Sequence, residues 1–274
     1  MSAADASPPH LPPTVAAVQC HVHKFGGSSL ANADLYRATV PLTHDGARQR
    51  VIVVSAMQGV TDALIALSAL AREGGDWAPG WDALRQRHFD AAAALADGDL
   101  PALQASLQGE FDALRDDLEA LRESHDGAIA QRLPGYGEVW SSHLMHAAQG
   151  GSANGWRRLD ARDVLVVHPG EMGMAVDWDA SRNHLAQWRA DNGAADVVVT
   201  GFVARDTQGR ATTLGRNGSD YSAAIFANLF DADALTIWTD VDGVLSADPR
   251  LVPEAVCLPS MSYAEACELA YFGA

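Results

Sequence analysis

The chain has 274 residues, 35 acidic against 19 basic side chains, a formal net charge of −16 at pH 7 and a hydrophobic fraction of 48%. The acidic excess excludes the basic footprint of a nucleic-acid binder and argues against an anionic membrane surface, while the apolar fraction is ample for a core. Three cysteines, Cys20, Cys257 and Cys267, show no CxxC spacing, which argues against a disulfide framework or a zinc site and fits a reducing cytoplasm.

Residues 1–20 are rich in Ala and Pro, have no basic start or continuous apolar stretch, and read as a disordered leader rather than a secretory signal. From His21 the text alternates. His21 to Phe25 predicts a strand ending in Gly26-Gly27-Ser28-Ser29, 31–43 a helix, 50–56 a buried β-branched strand and 61–73 a helix. Residues about 76–130 lack strand signal and predict an inserted helical subregion whose charges are mostly solvated. Then come a helix over 138–149, a strand over 164–167 and a helix over 180–191. A strand over 196–204 turns through 206–209 into a second at 210–213. A helix at 219–230, a strand at 234–238 and a last helix at 262–271 complete the chain. This order predicts an α/β fold with a mainly parallel sheet between helices and no linker dividing 21–274. No apolar run is long enough for a membrane span.

Three small-residue loops follow strands: Gly26-Gly27-Ser28-Ser29, Ser55-Ala56-Met57-Gln58-Gly59 and the Thr239-Asp240 segment. Ligands of open α/β sheets bind at such carboxyl ends, where glycine lets backbone N–H groups approach phosphate oxygens. Gly-Gly alone equally suits a tight turn. Lys24 sharpens the reading, because a lysine near the end of a buried strand is costly unless its charge is partnered; an edge-strand or snorkelling lysine is the other option. The chain lacks GxxxxGK[ST], a GxGxxG after a strand, HExxH and GxSxG.

In Leu214-Gly-Arg-Asn-Gly-Ser-Asp-Tyr-Ser222, Ser219 and Asp220 suit a capped helix start, and Arg216 on a tight loop suits bidentate capture of a carboxylate. Glu138 is a first-turn acid, and Ser55 and Thr61 flank a strand-to-helix turn where capping is the ordinary role. The Asp240-Val-Asp-Gly243 run fails as a calcium loop, since Leu251 stands where a glutamate is needed. The histidines are scattered and point to no metal site; His143 and His146 share a helix face without a second ligand pair.

Taken in order, Lys24-Phe-Gly-Gly-Ser-Ser29, Ser55-Ala with Thr61, Gly137-Glu138-x-Trp-Ser, Val199-Thr-Gly-Phe202, Gly215-Arg-Asn-Gly-Ser-Asp-Tyr221, Trp238-Thr-Asp-Val and Asp248-Pro-Arg250 resemble the catalytic domain of aspartokinases, a branch of the amino acid kinase family. GRNGSDYSAA, GEVWSSHLM and SMSYAEACELAYFGA look most similar to the bifunctional aspartokinase–homoserine dehydrogenases. The resemblance runs from about residue 22 to the last residue and is least marked in the helical insertion. It implies the three-layer amino-acid-kinase sandwich and ATP-dependent phosphorylation of the L-aspartate side chain, the first step towards Lys, Thr, Met and Ile.

By that resemblance Lys24 contacts the transferring phosphoryl group, and Gly26, Gly27 and Ser28 cradle phosphates. Arg216 binds the α-carboxylate of aspartate and Glu138 its ammonium. Ser55, Thr61, Ser219 and the catalytic Asp220 complete that pocket, while Thr239, Asp240, Leu245 and Arg250 lie on the nucleotide side. Mg²⁺ is held mainly by the ATP phosphates, with few protein ligands of its own and none assigned here. Leu245 stands where many relatives place an aromatic residue against adenine. The family continues beyond Phe272-Gly-Ala274 with a nucleotide-contacting Lys, ACT regulatory domains and, in the bifunctional proteins, a homoserine dehydrogenase. The chain is therefore expected to be truncated, without feedback inhibition of its own, from a homo-oligomeric cytoplasmic parent. A kinase for another carboxylate such as N-acetylglutamate, or a nucleotide- or aspartate-binding module without turnover, are the competing readings.

Overall fold

The computed structural model describes residues 19–96, 98–171, 173–215 and 218–271. Nearly all of the expected leader, and Arg216 with Asn217, lie outside the described residues. The chain divides into two compact units at Ile237 and Trp238.

In the first unit the elements run β1 (Cys20–Phe25), α1 (Ala33–Thr39), β2 (Gln49–Val54), α2 (Val60–Arg72), α3 (Ala78–Leu95), α4 (Leu100–Ser124), α5 (Gly127–Arg132) and α6 (Tyr136–Ala148). They continue as β3 (Trp156–Leu159), α7 (Ala161–Val164), β4 (Val166–Gly170), β5 (Gly173–Val176), α8 (Trp178–Asn192), β6 (Asp196–Thr200), β7 (Val203–Asp206), β8 (Ala211–Thr213), α9 (Gly218–Leu229) and β9 (Ala234–Trp238).

The central sheet has the order β3-β6-β2-β1-β9, and β3, β6, β2 and β1 pair in parallel. Val51, Ile52, Val53 and Val54 of β2 and Val197, Val198 and Val199 of β6 are fully buried, as strands covered on both faces require. Helix α6 packs against β2, β3 and β6, while α9 packs against β1 and β2. These layers form the expected sandwich. A second, mixed sheet has the order β5-β4-β7-β8.

Helices α3, α4 and α6 share an aromatic core. Phe111 stacks on Trp140 with ring centroids 4.0 Å apart, the buried His88 edges onto Trp140 at 4.7 Å, and Trp81 Nε1 donates to the carbonyl of Phe111. Burial holds the His88 imidazole down at about 4, so it packs as a neutral ring.

Three expectations need correction. The helix expected over 31–43 is only α1, because Asn32 caps it at Leu35 N and Pro41 tightens the chain into a 3₁₀ turn. The strand expected at 164–167 starts later, since Val164 ends the short helix α7 that Asp160 caps. The single strand expected over 196–204 is two strands in two different sheets. β6 ends at Thr200 and β7 starts at Val203. Between them Phe202 takes φ +64, with its N–H held by Ser222 Oγ at 2.8 Å. Strands β3 and β5 were not anticipated.

In the second unit, Leu245 and Cys257 form an antiparallel bridge, flanked by Ser246 N–H to Val256 O and Leu258 N–H to Val244 O. Helix α10 (Tyr263–Tyr271) opens with a reciprocal cap: Glu265 accepts from Ser262 N, and Glu265 N–H donates to Ser262 Oγ.

The break between β6 and β7 is sterically tight. A Cβ on Gly201 would stand 2.7 Å from the Val54 carbonyl and 3.0 Å from Ser219 Cβ. Gly201→Ala is expected to destabilise the chain by about 1–3 kcal/mol through overpacking. Urea unfolding measures this, and an unchanged midpoint would show that the kink has room to spare.

Candidate active site

The site is built where β1 and β2 end and α2, α6 and α9 begin. Central-sheet order reverses at β1, which is followed in the chain by its neighbour β2 and flanked on its other side by β9. The carboxyl end of a strand at such a point is where open α/β sheets bind ligands.

Lys24 lies one residue before the end of β1 and is 7% exposed. Its Nζ is 2.6 Å from Asp220 Oδ1, in the first turn of α9. This pair answers the question the sequence left open: Lys24 is a buried lysine with a counter-charge. Gly26 follows the last residue of β1, Phe25, and a Cβ there would stand 3.5 Å from Nζ, against the ammonium. At Gly27 a Cβ would meet the Ala56 carbonyl at 3.0 Å, so the turn after β1 lies against the loop after β2. Ser29 and Leu30 N–H bond back to the Gly26 and Gly27 carbonyls, and Ser28 on this turn is exposed.

The β2 loop joins the same group. Ser55 N–H donates to the Phe25 carbonyl, and Ser55 Oγ donates to Ser219 Oγ at 2.9 Å. Gly59 takes φ +78 as it hands the loop to α2, and Thr61 lies half-buried in that helix's first turn.

Glu138, in the first turn of α6, is 4% exposed. Burial pushes its carboxyl up to about 8, against the pull of Ala56 N–H, its own N–H and the Lys24 charge. Its Oε2 has no hydrogen-bond partner among the described residues. Helix α6 comes this close because residue 137 is glycine, where a Cβ would lie 2.6 Å from Ala56 Cβ.

The structure thus brings together Lys24, Gly26, Gly27, Ser55, Glu138, Ser219 and Asp220. Arg216 lies outside the described residues. Thr239, Asp240, Leu245 and Arg250 belong to the second unit. There Thr239 Oγ1 donates to Asp240 Oδ1, and Arg250 forms a two-pronged pair with Asp248 at 2.7 and 3.0 Å. A separate cavity of about 330 Å³, lined by Asp116, Asp117, Arg132, Tyr136 and Arg162 among others, holds none of the expected site residues.

One residue was missed. Arg87 of α3, within the segment whose charges were expected to be mostly solvated, donates Nη1 to the Gln58 carbonyl at 2.9 Å and Nη2 to the Ala31 carbonyl at 3.0 Å. It ties the loop after β2 to the chain just past the glycine turn. An arginine in an amphipathic helix carries no sequence signal for such a role.

Glu138 gives a pH test. Its folded value of about 8 exceeds the ordinary 4.5, so the fold favours the protonated form; the associated stability is complete below about 4.5 and is lost as pH rises through about 8. Glu138→Gln should therefore melt above the native chain at pH 9, with the gap closing towards pH 5. A gap independent of pH would contradict the burial of this carboxyl.

The model of the Amino acid kinase family matches residues 19–274. The chain is 39% identical to the chloroplastic bifunctional aspartokinase/homoserine dehydrogenase 1 of Arabidopsis thaliana over 92% of this chain and 28% of that protein. It is 38% identical to bifunctional aspartokinase/homoserine dehydrogenase 2 of Escherichia coli K12, over 92% of this chain and 31% of that one. It therefore spans less than a third of the length of these relatives. Among solved structures, E. coli aspartokinase III in complex with aspartate and ADP superposes with a TM-score of 0.82 at 29% identity, covering 93% of this chain and 57% of that one. No helix among the described residues is long and apolar enough to cross a membrane. Sequence and fold agree, and the chain belongs to the amino acid kinase family.

Proposed function

We propose that this chain is the kinase portion of an aspartokinase, transferring the γ-phosphoryl group of Mg-ATP to the side-chain carboxylate of L-aspartate to give β-aspartyl phosphate and ADP. The observation that carries the reading is the Lys24–Asp220 pair beside the Gly26–Gly27 turn. An aspartate side chain has a pKa near 3.9 and is ionised at neutral pH, so a carboxylate acceptor needs no general base. The obstacle is bringing two anions together, which calls for positive charge and positioning.

Lys24 supplies that charge at the transferring phosphoryl group, and Asp220 fixes its direction. As a carboxylate oxygen bonds to the γ-phosphorus, the bond to the ADP oxygen breaks, and the negative charge on the phosphoryl oxygens faces the Lys24 ammonium. Gly26, Gly27 and Ser28 offer backbone N–H groups to the phosphates, with the magnesium ion carried in by the nucleotide. Arg216 takes the α-carboxylate, and Ser55, Thr61 and Ser219 line the aspartate pocket. Glu138 pairs with the α-ammonium, which ionises a carboxyl that burial otherwise protonates. That pairing favours a free amino acid over an N-acylated one. Thr239, Asp240, Leu245 and Arg250 serve the nucleotide side.

At the level of the whole protein, homo-oligomeric assembly, any regulatory or dehydrogenase domains and a cytoplasmic setting belong to the same proposal. The name of the Arabidopsis relative places that protein in the chloroplast.

The test is aspartate-dependent ADP release from Mg-ATP, with the acyl phosphate trapped as its hydroxamate. Hydroxamate is expected with L-aspartate and not with N-acetylglutamate; the reverse preference would sink the substrate assignment, and ligand binding without product would support a binding module. Lys24→Ala should lower turnover about 100- to 1000-fold while aspartate still binds. Near-native turnover in that variant would remove Lys24 from the reaction. Arg216→Ala should raise KM for aspartate more than it lowers kcat, and an unchanged KM would take it out of the pocket.

A further inference from the structure

His21 and His23 lie two apart on β1, so their side chains leave the same face of the strand. Lys24 follows His23 and leaves the opposite face. The connection between α1 and β2 brings Asp45 to the two rings. Asp45 Oδ2 pairs with His21 Nδ1 and lies 3.2 Å from His23 Nε2. One candidate ligand atom from each residue lies within 4.8 Å of the other two. The rings lie with centroids 4.1 Å apart and tilted by 31°, and His23 is 1% exposed. The second nitrogen of His21, Nε2, meets Thr236 Oγ1 of β9 at 2.9 Å.

We propose that His21, His23 and Asp45 form a binding site for a divalent transition ion of the zinc type, on the sheet face opposite Lys24 and separate from the kinase site. Two imidazoles and one carboxylate form a donor set that suits zinc and its neighbours better than magnesium. Zinc bound at about 2.0–2.2 Å to each donor in a tetrahedron sets the donors about 3.3 Å apart, close to the observed His23–Asp45 spacing. Ring rotation and a small shift of the Asp45 loop supply the rest. Thr236 orients His21 through the nitrogen that does not face the site, the outer-shell contact that metal-binding histidines commonly have. Three protein donors leave a fourth position for water. The bound ion would clip the α1–β2 connection to the central strand. The sequence carried one signal of this site, the His-x-His spacing in a strand, but nothing in it pointed to Asp45.

Calorimetric titration of the full chain with Zn²⁺ in nucleotide-free buffer tests the proposal. One equivalent is expected to bind and to raise the melting temperature, with no comparable effect from Mg²⁺. Asp45→Asn should weaken binding at least tenfold, His21→Gln more than that, and Thr236→Val about tenfold. Melting in EDTA establishes that the variants fold. The exposed thiols of Cys257 and Cys267 remain in every variant, so an ion held by them would survive all three changes. X-ray absorption on the native zinc-loaded chain needs no variant and should show only nitrogen and oxygen at about 2.0–2.1 Å. No Zn²⁺ binding, unchanged affinity in Asp45→Asn and His21→Gln, or a sulfur shell at about 2.3 Å would each overturn the site.

Discussion

A positive charge at the end of a central parallel strand is the constraint around which the first unit is arranged. Burying the Lys24 ammonium is costly unless a counter-charge meets it. Asp220 meets it from the first turn of α9, so that helix must start at the carboxyl edge of the sheet. The start of α9 also carries Ser219, bonded to Ser55 on the neighbouring loop. One electrostatic requirement thus sets the strand end, the helix start and the loop between them in a fixed relation. Asp220 remains 46% exposed on its side chain, which leaves the pair open to solvent and ligands on one side.

The opposite wall is made by a different means. Glu138 faces the site from a helix that reaches it because glycine stands at 137, and its carboxyl is buried without a full set of partners among the described residues. A buried group left short of partners stores a preference for whatever completes it. The two walls are therefore complementary in kind. One presents a cation held by its counter-ion, and the other presents a carboxyl whose Oε2 has no hydrogen-bond partner among the described residues. Arg87 adds stiffness from outside the sheet, holding the carbonyls of Gln58 and Ala31.

Much of this was legible in the sequence, for identifiable reasons. Buried β-branched runs such as Val51–Val54 declare central strands, and glycine turns after them declare ligand loops, because both effects are local. The partner of Lys24 was not legible from local pattern, since Asp220 lies far along the chain and only the sheet order brings the two together. The resemblance to aspartokinases grouped them before the fold did. Strand 196–204 misled because its apolar text continues through Gly201-Phe202, and nothing in composition marks the change of sheet. Arg87 and Asp45 were missed for the same reason: their contacts are made by topology.

The break at Gly201-Phe202 has a consequence for how the first unit comes apart. Only two residues separate β6, in the middle of the central sheet, from β7, in the middle of the mixed sheet. A segment that short passes a displacement of one strand directly to the other, and Ser222 of α9 holds its backbone in place. The two sheets are therefore expected to open as one cooperative unit in hydrogen-exchange terms rather than as two foldons of separate stability. The slowest-exchanging amides of both sheets should then share a single opening event, and a lesion in the mixed sheet should be felt at the strands that carry the site loops.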